Sequence, residues 1–277
     1  MPELAEVETL RRQLSPLAGA RVIEVVASHI RAVRRHDPAD LNTLAGATVV
    51  AVERHGKWLH LCCDQATLSV HLRMSGRLLL ARPGDLRLAH THVVASLVTP
   101  HLGDRELRFV DPRAFGECVV TPPGAARPAA RGRDALDDPP SAAEIAISLR
   151  ATARSIKGVL LDQNGPVAGL GNIYADEVCA AARIEPGRPC NGLSADEVVA
   201  LATVIPAVVA AAAAQRGTSL ADKGWTDAYG VPGAHAAHLL VHARATCGRC
   251  AGPITKSKVA GRTTYHCLFC QARRTTC

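Results

Sequence analysis

The sequence predicts an α+β protein of three parts: an N-terminal helix with a β-sandwich, a helical domain, and a C-terminal hairpin. Seven short segments rich in Val and Leu, separated by turn residues, follow the first helix and predict the sandwich. Further on, two Ser-x-x-Glu capping boxes precede apolar runs and predict helices. Two Cys-x-x-Cys pairs near the C terminus have zinc-ribbon spacing, so the hairpin is predicted to be a zinc ribbon.

Length and composition limit the class of protein. With 277 residues, 48% of them hydrophobic, the chain is large enough to bury at least one core and is expected to divide into two or three units. A stretch crowded with Pro, Gly, Ala and Arg and without apolar periodicity separates the strand-rich and helix-rich regions. We place an N-terminal domain at 1–125, a linker at 126–140, a helical domain at 141–240 and a zinc finger at 241–277.

No secretion signal or membrane span is expected. The acidic start lacks the apolar run of a signal peptide. The longest apolar run, 198–214, is rich in alanine and interrupted by Thr203 and Pro206, so it predicts a buried helix. Ten cysteines in such a chain favour reduced thiols and metal binding over disulfides.

Periodicity predicts the N-terminal elements. Apolar residues recur at helical spacing from the beginning of the chain and predict a helix that begins near Glu3; they are Leu4, Val7, Leu10, Leu14 and Leu17. Strands are predicted at 21–28, 48–54, 57–63, 68–80, 93–98, 106–110 and 117–121.

The first residues have two interpretations. If Met1 is removed, Pro2 presents a secondary amine with a pKa near ~8, so a useful fraction is nucleophilic at neutral pH. Attack of that amine on a sugar C1′ gives a cationic iminium, which is the chemistry of a lyase. Glu3 beside it is able to move protons. Alternatively, Pro-Glu is an ordinary helix opening, with proline at the first position and an acid in the first turn.

Two capping boxes mark the change to helical structure. They pair Ser141 with Glu144 and Ser194 with Glu197. Between them, 164–172 contains three glycines and a proline and joins helices. Free amides at the start of the second helix suit a phosphate, whereas a plain helix-helix connection is the alternative. The joined helices are predicted at 155–163 and 173–182.

The C-terminal cysteines have the spacing of a four-thiolate zinc site. Sixteen residues separate the two pairs, and one structural Zn²⁺ is predicted. The ligands are Cys247, Cys250, Cys267 and Cys270. Between the pairs, Arg262 stands at the tip of a predicted hairpin, and His266 is an alternative ligand that four thiols make unnecessary. The other six cysteines lack ligand spacing, and most of them are expected to pack in cores.

The net charge of +7 is concentrated at the same end. Seven of the 32 Lys and Arg residues, and none of the 25 acidic residues, lie in 241–277. Clustered positive charge of this kind indicates a polyanionic partner, and a solvated basic tail is the alternative.

Three motifs resemble the formamidopyrimidine-DNA glycosylase / endonuclease VIII family. They are the N-terminal stretch 1–9, and 160–163 with 169–177, which are similar to the family's helix-two-turn-helix signature. The resemblance implies that Pro2 is the nucleophile of a catalytic N-terminal domain, and that Glu3 and Glu6 handle protons. Ala5 departs from the family, which usually has a second proline there.

The resemblance also implies which residues contact DNA. Lys57, Asn172 and Arg262 match residues that hold phosphates close to the reacting sugar. His90 and His92 are two residues apart and have three interpretations: a zinc pair, surface histidines or, by resemblance, contacts to phosphate or sugar.

Three further residues match the family's void-filling triad. When a base is flipped from the stack, the hole takes apolar wedges and a group that pairs with the orphaned partner. Met74 and Phe115 match the wedges and Arg113 matches the pairing group, which favours the formamidopyrimidine branch over the endonuclease VIII branch. Without the resemblance, Met74 and Phe115 would be predicted to be ordinary core residues.

The loop at 217–233 lies where the family has a mobile lid over the flipped base. It keeps the Gly-Thr-Ser-Leu opening and the Pro-Gly close, but Ala221 replaces the usual arginine. The preferred base and opposite base therefore do not follow from the resemblance.

The sequence thus predicts a bifunctional DNA glycosylase and abasic-site lyase of base excision repair. By resemblance it excises oxidised purines (8-oxoguanine, formamidopyrimidines) from double-stranded DNA through a Schiff base at Pro2, with β- and δ-elimination. A monomer in the bacterial cytoplasm, associated with the nucleoid and not with a membrane, is expected. The alternatives are a non-catalytic damaged-DNA binding protein on the same scaffold and an endonuclease VIII-like activity on oxidised pyrimidines.

Overall fold

The computed structural model describes residues 1–28, 32–33, 37–220 and 224–272. They form two compact units, Met1–Ala129 with Gln215–Ala234, and Ala130–Ala214 with His235–Cys277. The predicted boundaries therefore need correction in two places. Residues 215–234 belong to the first unit and not to the helical region, and residues 130–140 of the predicted linker belong to the second unit.

Helix α1 (Leu4–Leu14) opens the first unit and buries the predicted apolar face. Its carboxylate Glu8 is 1% exposed and accepts hydrogen bonds from Arg11, Arg12 and Arg54. Burial opposes ionisation, yet these three hydrogen bonds outweigh it and lower the pKa of Glu8 to about 2. The buried Glu8–Arg54 pair ties α1 to the sheet behind it.

Eight strands follow, and they confirm the predicted β-sandwich. They are β1 (Arg21–Ala27), β2 (Val49–His55), β3 (Trp58–Cys63), β4 (Thr67–His71), β5 (Arg77–Ala81), β6 (Thr91–Thr99), β7 (Gly103–Val110) and β8 (Glu117–Thr121). Two antiparallel sheets have the orders β1-β6-β7-β5 and β2-β3-β4-β8. Their inward faces and α1 share one hydrophobic core.

The predicted strand 68–80 is two strands. Between β4 and β5 the chain passes from one sheet to the other through a turn, with Arg73 at φ 53° and the Gly76 amide donating to the Leu72 carbonyl at 2.9 Å. A Cβ on Gly76 would lie 2.5 Å from that carbonyl oxygen, so only glycine fits there. Met74 lies in this turn and belongs to neither strand.

The second unit holds the remaining elements. They are β9 (Arg133–Asp134), α2 (Ala142–Arg150), α3 (Ile156–Leu160), β10 (Val167–Ala168), α4 (Asn172–Ala181), α5 (Ala195–Ala214), β11 (Ile254–Val259) and β12 (Arg262–Cys267). Strand β9 pairs in parallel with β10, which corrects the structureless linker predicted there. Both capping boxes are present, since Glu144 and Glu197 accept from the amides of Ser141 and Ser194 at 2.8 and 2.7 Å.

Helix α5 corresponds to the long apolar run that predicted a buried helix, and one face of it is buried. Its buried residues recur every three to four positions, and they include Val198, Leu201, Ile205 and Val209. Val199, on another face, is 54% exposed. Among the described residues it is the one helix long and apolar enough to cross a membrane by length and composition. Its buried face packs against α2 and α4 as the core helix of this unit.

Candidate functional site

The N-terminal residues are buried and held in place. Pro2 is buried, and Glu3, 1% exposed, is the extended N-cap residue of α1. The Glu6 carboxylate accepts from the Glu3 amide at 2.7 Å through Oε2 and from the Thr218 amide at 2.7 Å through Oε1. Ala5 is fully buried inside the regular helix, so the departure from the family's second proline leaves α1 intact.

Gly217 is required for this contact. Its φ is +77°, and a Cβ there would lie 2.4 Å from Glu6 Oε1. Both oxygens of Glu6 therefore hold backbone amides, one at the N-terminus and one at the base of the loop 217–233.

The base of that loop is closed by further hydrogen bonds. Trp225, in the core of the first unit, donates its indole N–H to the Arg216 carbonyl at 2.9 Å. The Ser219 hydroxyl donates to the Trp225 carbonyl at 2.5 Å and accepts from the Gly233 amide at 2.9 Å. Ala221, on which the predicted change in base recognition depends, lies outside the described residues.

Lys57 lies in the two-residue turn between β2 and β3, after Gly56 at φ 56°. Its side chain is 7% exposed. His71, which the sequence did not single out, is opposite Trp58 in the β3–β4 register and packs edge-on against that ring at 4.9 Å. Its Nδ1 accepts from the Arg73 amide at 3.1 Å. His71 lies near the turn with Lys57 because of the register between β3 and β4. No local sequence motif predicts that register.

The residues of the predicted void-filling triad are exposed, not packed in the core. Met74 is 38% and Phe115 is 44% exposed. The Arg113 guanidinium carbon lies 4.6 Å from the centroid of the Phe115 ring. Two separate loops, after β4 and after β7, present these side chains.

The two histidines differ in their surroundings. His90 is exposed in a left-handed conformation with φ 64°, while His92 is 7% exposed and its Nε2 is 2.8 Å from the Asp111 carbonyl oxygen. Their ring centroids are 6.2 Å apart. Within the described ranges, no group of three or more metal-ligating side chains includes them.

In the second unit, Asn172 and Arg262 lie close together. Asn172 begins α4, and its Nδ2 donates to the carbonyl of Thr263, the residue after Arg262, at 2.9 Å. Arg262 is exposed and begins β12 after a tight turn in which Gly261 has φ 73°.

A buried network that the sequence did not reveal fixes this arrangement. Lys157 is fully buried, and its Nζ donates to Asp176 at 2.7 Å, the Thr264 hydroxyl at 2.9 Å and the Thr263 carbonyl at 3.0 Å. The other oxygen of Asp176 lies 2.7 Å from His242 Nδ1. The hairpin of β11 and β12 is thereby held against α4.

The four predicted cysteines form a cluster that fits a zinc ion. Their sulfurs lie within 4.8 Å of one another, with 3.9 Å between Cys247 and Cys270 and 3.5 Å between Cys250 and Cys267. Tetrahedral zinc with Zn–S bonds of ~2.3 Å places its sulfurs roughly 3.8 Å apart. The cluster has four thiols without His266, so no coordination position remains open.

Comparison with known proteins agrees with this arrangement. The formamidopyrimidine-DNA glycosylase N-terminal domain matches residues 1–118, and the H2TH domain of that enzyme matches residues 131–223. The chain is 39% identical to the formamidopyrimidine-DNA glycosylase of Herpetosiphon aurantiacus, over 98% of this chain and 100% of that one.

Two solved structures of Lactococcus lactis Fpg (MutM) also superpose on the chain. One is a complex with DNA that contains N7-benzyl-Fapy-dG, with a TM-score of 0.86 and 30% identity. The other is a complex with DNA that contains an oxidised pyrimidine, with a TM-score of 0.86 and 31% identity. In both cases 98% of this chain and 100% of the other is covered.

The fold, the arrangement of the N-terminal residues and the matches to known proteins together define a DNA glycosylase of base excision repair. The chain belongs to the formamidopyrimidine-DNA glycosylase family.

Proposed function

We propose that the protein excises oxidised purines from double-stranded DNA and then cleaves the resulting abasic site, as a monomer in the cytoplasm of a bacterium, at the nucleoid. The observation that carries this proposal is the buried Pro2-Glu3 pair, held at the start of α1 by Glu6 in a member of this family. A protein that only binds damaged DNA needs neither a nucleophilic amine nor a carboxylate beside it.

The chemistry begins with the Pro2 nitrogen. Removal of Met1 turns this amide nitrogen into a secondary amine with a free lone pair. The lone pair forms a bond to C1′ of the damaged nucleotide, and the bond from C1′ to the base breaks. The base leaves with the electron pair and a proton, which Glu3 supplies.

The Pro2 nitrogen then loses its proton, and its lone pair forms a double bond to C1′ while the bond from C1′ to O4′ breaks. The ring oxygen keeps that electron pair and takes up a proton, so the sugar ring opens and a cationic iminium joins Pro2 to C1′. The positive charge acidifies the C2′ proton, and its loss expels the 3′ phosphate by β-elimination. A second elimination expels the 5′ phosphate, and hydrolysis of the iminium regenerates the amine.

The remaining residues support binding. Lys57 on the first unit, and Asn172 with Arg262 on the second, contact phosphates, and His90 and His92 contact phosphate or sugar. Zinc held by the four cysteines folds the hairpin that presents Arg262, and a closed four-thiolate site supplies structure only. We infer that Glu6 positions backbone instead of moving protons, because both of its oxygens accept from amides.

The exposed Met74, Arg113 and Phe115 support a purine substrate, since they match the void-filling residues of the formamidopyrimidine branch. Oxidised pyrimidines are a second candidate substrate. The observation that favours them is the Lactococcus lactis structure with an oxidised pyrimidine in its DNA.

A duplex with a single lesion tests the proposed function. With 8-oxoguanine or a formamidopyrimidine, we expect free base and a one-nucleotide gap with phosphate on both ends. The same duplex with an oxidised pyrimidine measures the second candidate, and an undamaged duplex is the control. Tight binding to the lesion without release of base would instead make the protein a damage-binding factor.

A further inference from the structure

Asp111 connects three segments of the first unit, although nothing in the motifs singled it out for a role. It follows β7 directly and is fully buried. Its Oδ1 accepts from the Ser75 hydroxyl at 2.5 Å and the Arg113 amide at 3.2 Å. Its Oδ2 accepts from the amides of Phe115 at 2.8 Å and Gly116 at 2.7 Å.

The backbone of Asp111 reaches the third segment. Its amide donates to the His90 carbonyl at 3.0 Å, and its carbonyl oxygen lies 2.8 Å from His92 Nε2. One buried residue thus holds the loop with Met74, the loop with Arg113 and Phe115, and the segment with both histidines.

These segments do not hold their conformation by burial alone. Each contains a residue other than glycine in the left-handed region, namely Arg73 at φ 53°, His90 at φ 64° and Ala114 at φ 50°. That conformation is unfavourable for an L-residue and persists only where the surroundings enforce it. Met74 and Phe115 are exposed, so core packing does not set their positions either. Hydrogen bonds supply the constraint. Those to Asp111 join all three segments, and the bonds of Arg73 to His71 and Glu117 add to them in the Met74 loop.

We propose that Asp111 is a positioning residue for base extrusion, which sets the places of Met74, Arg113 and Phe115 before DNA binds. This inference rests on the proposed function, in which those side chains fill the space that the base leaves. Side chains that must enter a base stack act best when their positions are fixed in advance, because ordering them on DNA would cost binding free energy.

Asp111→Asn tests the proposal with little change in shape. Each carboxylate oxygen accepts two hydrogen bonds, so an amide in either orientation presents N–H to two donors that then lack an acceptor. We expect excision of a damaged base under single-turnover conditions to fall at least about tenfold. Cleavage of a preformed abasic site should stay within about twofold, because that site has no base to unstack.

A fluorescent base analogue next to the lesion reports the rate of base unstacking. A purely structural role of Asp111 would not change that rate. The signal of the analogue rises when the stack opens, and Asp111→Asn should slow that rise by the same factor as excision. Ser75→Ala removes only the bond to the Met74 loop and should give a smaller slowing, which keeps the proposal testable if Asp111→Asn does not fold. The matched control is Asp104→Asn, which changes an exposed residue near the beginning of β7. This variant should behave as the parent protein.

Two outcomes overturn the proposal: equal loss of excision and abasic-site cleavage in Asp111→Asn, or no loss of either. Parent protein that is inactive on both substrates would instead refute the proposed function. An active parent with an unaffected variant refutes only the role of Asp111.

Discussion

Glu3→Gln is expected to slow base excision by about a hundredfold or more while most cleavage of preformed abasic sites survives. Glutamine keeps the size of this buried side chain but cannot give a proton to the departing base. An abasic site has no base to release, so its cleavage depends less on that proton. Single-turnover rates on a lesion duplex and on an abasic duplex measure both steps. Equal loss on both substrates would place Glu3 in structure or binding instead of in base release.

Glu6 provides the comparison for Glu3. If Glu6 only positions backbone, Glu6→Gln and Gly217→Ala should impair the enzyme alike, because both disturb the same contact and only one removes a titratable group. If Glu6→Gln were impaired while Gly217→Ala had normal activity, Glu6 would instead act in proton transfer.

Cys250→Ser is expected to release about one zinc per chain and to weaken binding to abasic-site DNA by at least tenfold, roughly the effect of losing one strong phosphate contact. The exposed Cys250 can be changed without opening a core cavity. Loss of the metal should loosen the hairpin that carries Arg262. Metal analysis gives the zinc content, and anisotropy of a labelled duplex at fixed salt gives the affinity.

Cys62→Ser is the control for this prediction, since Cys62 lies on β3 outside the four-cysteine cluster and should retain both zinc and affinity. If metal-free protein bound abasic DNA as tightly as the zinc-bound protein, the hairpin would not need the metal to present Arg262.

The motifs that carry the proposed chemistry could be predicted from the sequence because each consists of residues close together in the chain. Pro2 and Glu3 are adjacent in the sequence. The four clustered cysteines follow a fixed spacing, so the fold needed only to bring two short pairs together. The sandwich was readable because each strand carries its own Val and Leu pattern. The break at Met74 was missed because that pattern continues on both sides of the turn.

Long-range contacts account for what the sequence did not show. Asp111 and Ser75 are 36 residues apart, and Lys157 and Thr264 are 107 residues apart. No spacing rule links residues so distant. The return of 215–234 to the first unit likewise depends on contacts made far along the chain, such as the bond of 2.8 Å from Gln13 to Asp227.

Borohydride trapping on abasic-site DNA tests most directly whether Pro2 is the nucleophile. The iminium should be reduced to a stable amine, leaving a covalent complex whose cross-link maps to Pro2 by peptide sequencing or mass spectrometry. A matched protein that retains one additional residue before Pro2 has an amide nitrogen there, and we expect no complex from it. Full trapping by that blocked protein, with the cross-link at a lysine such as Lys57, would contradict the account.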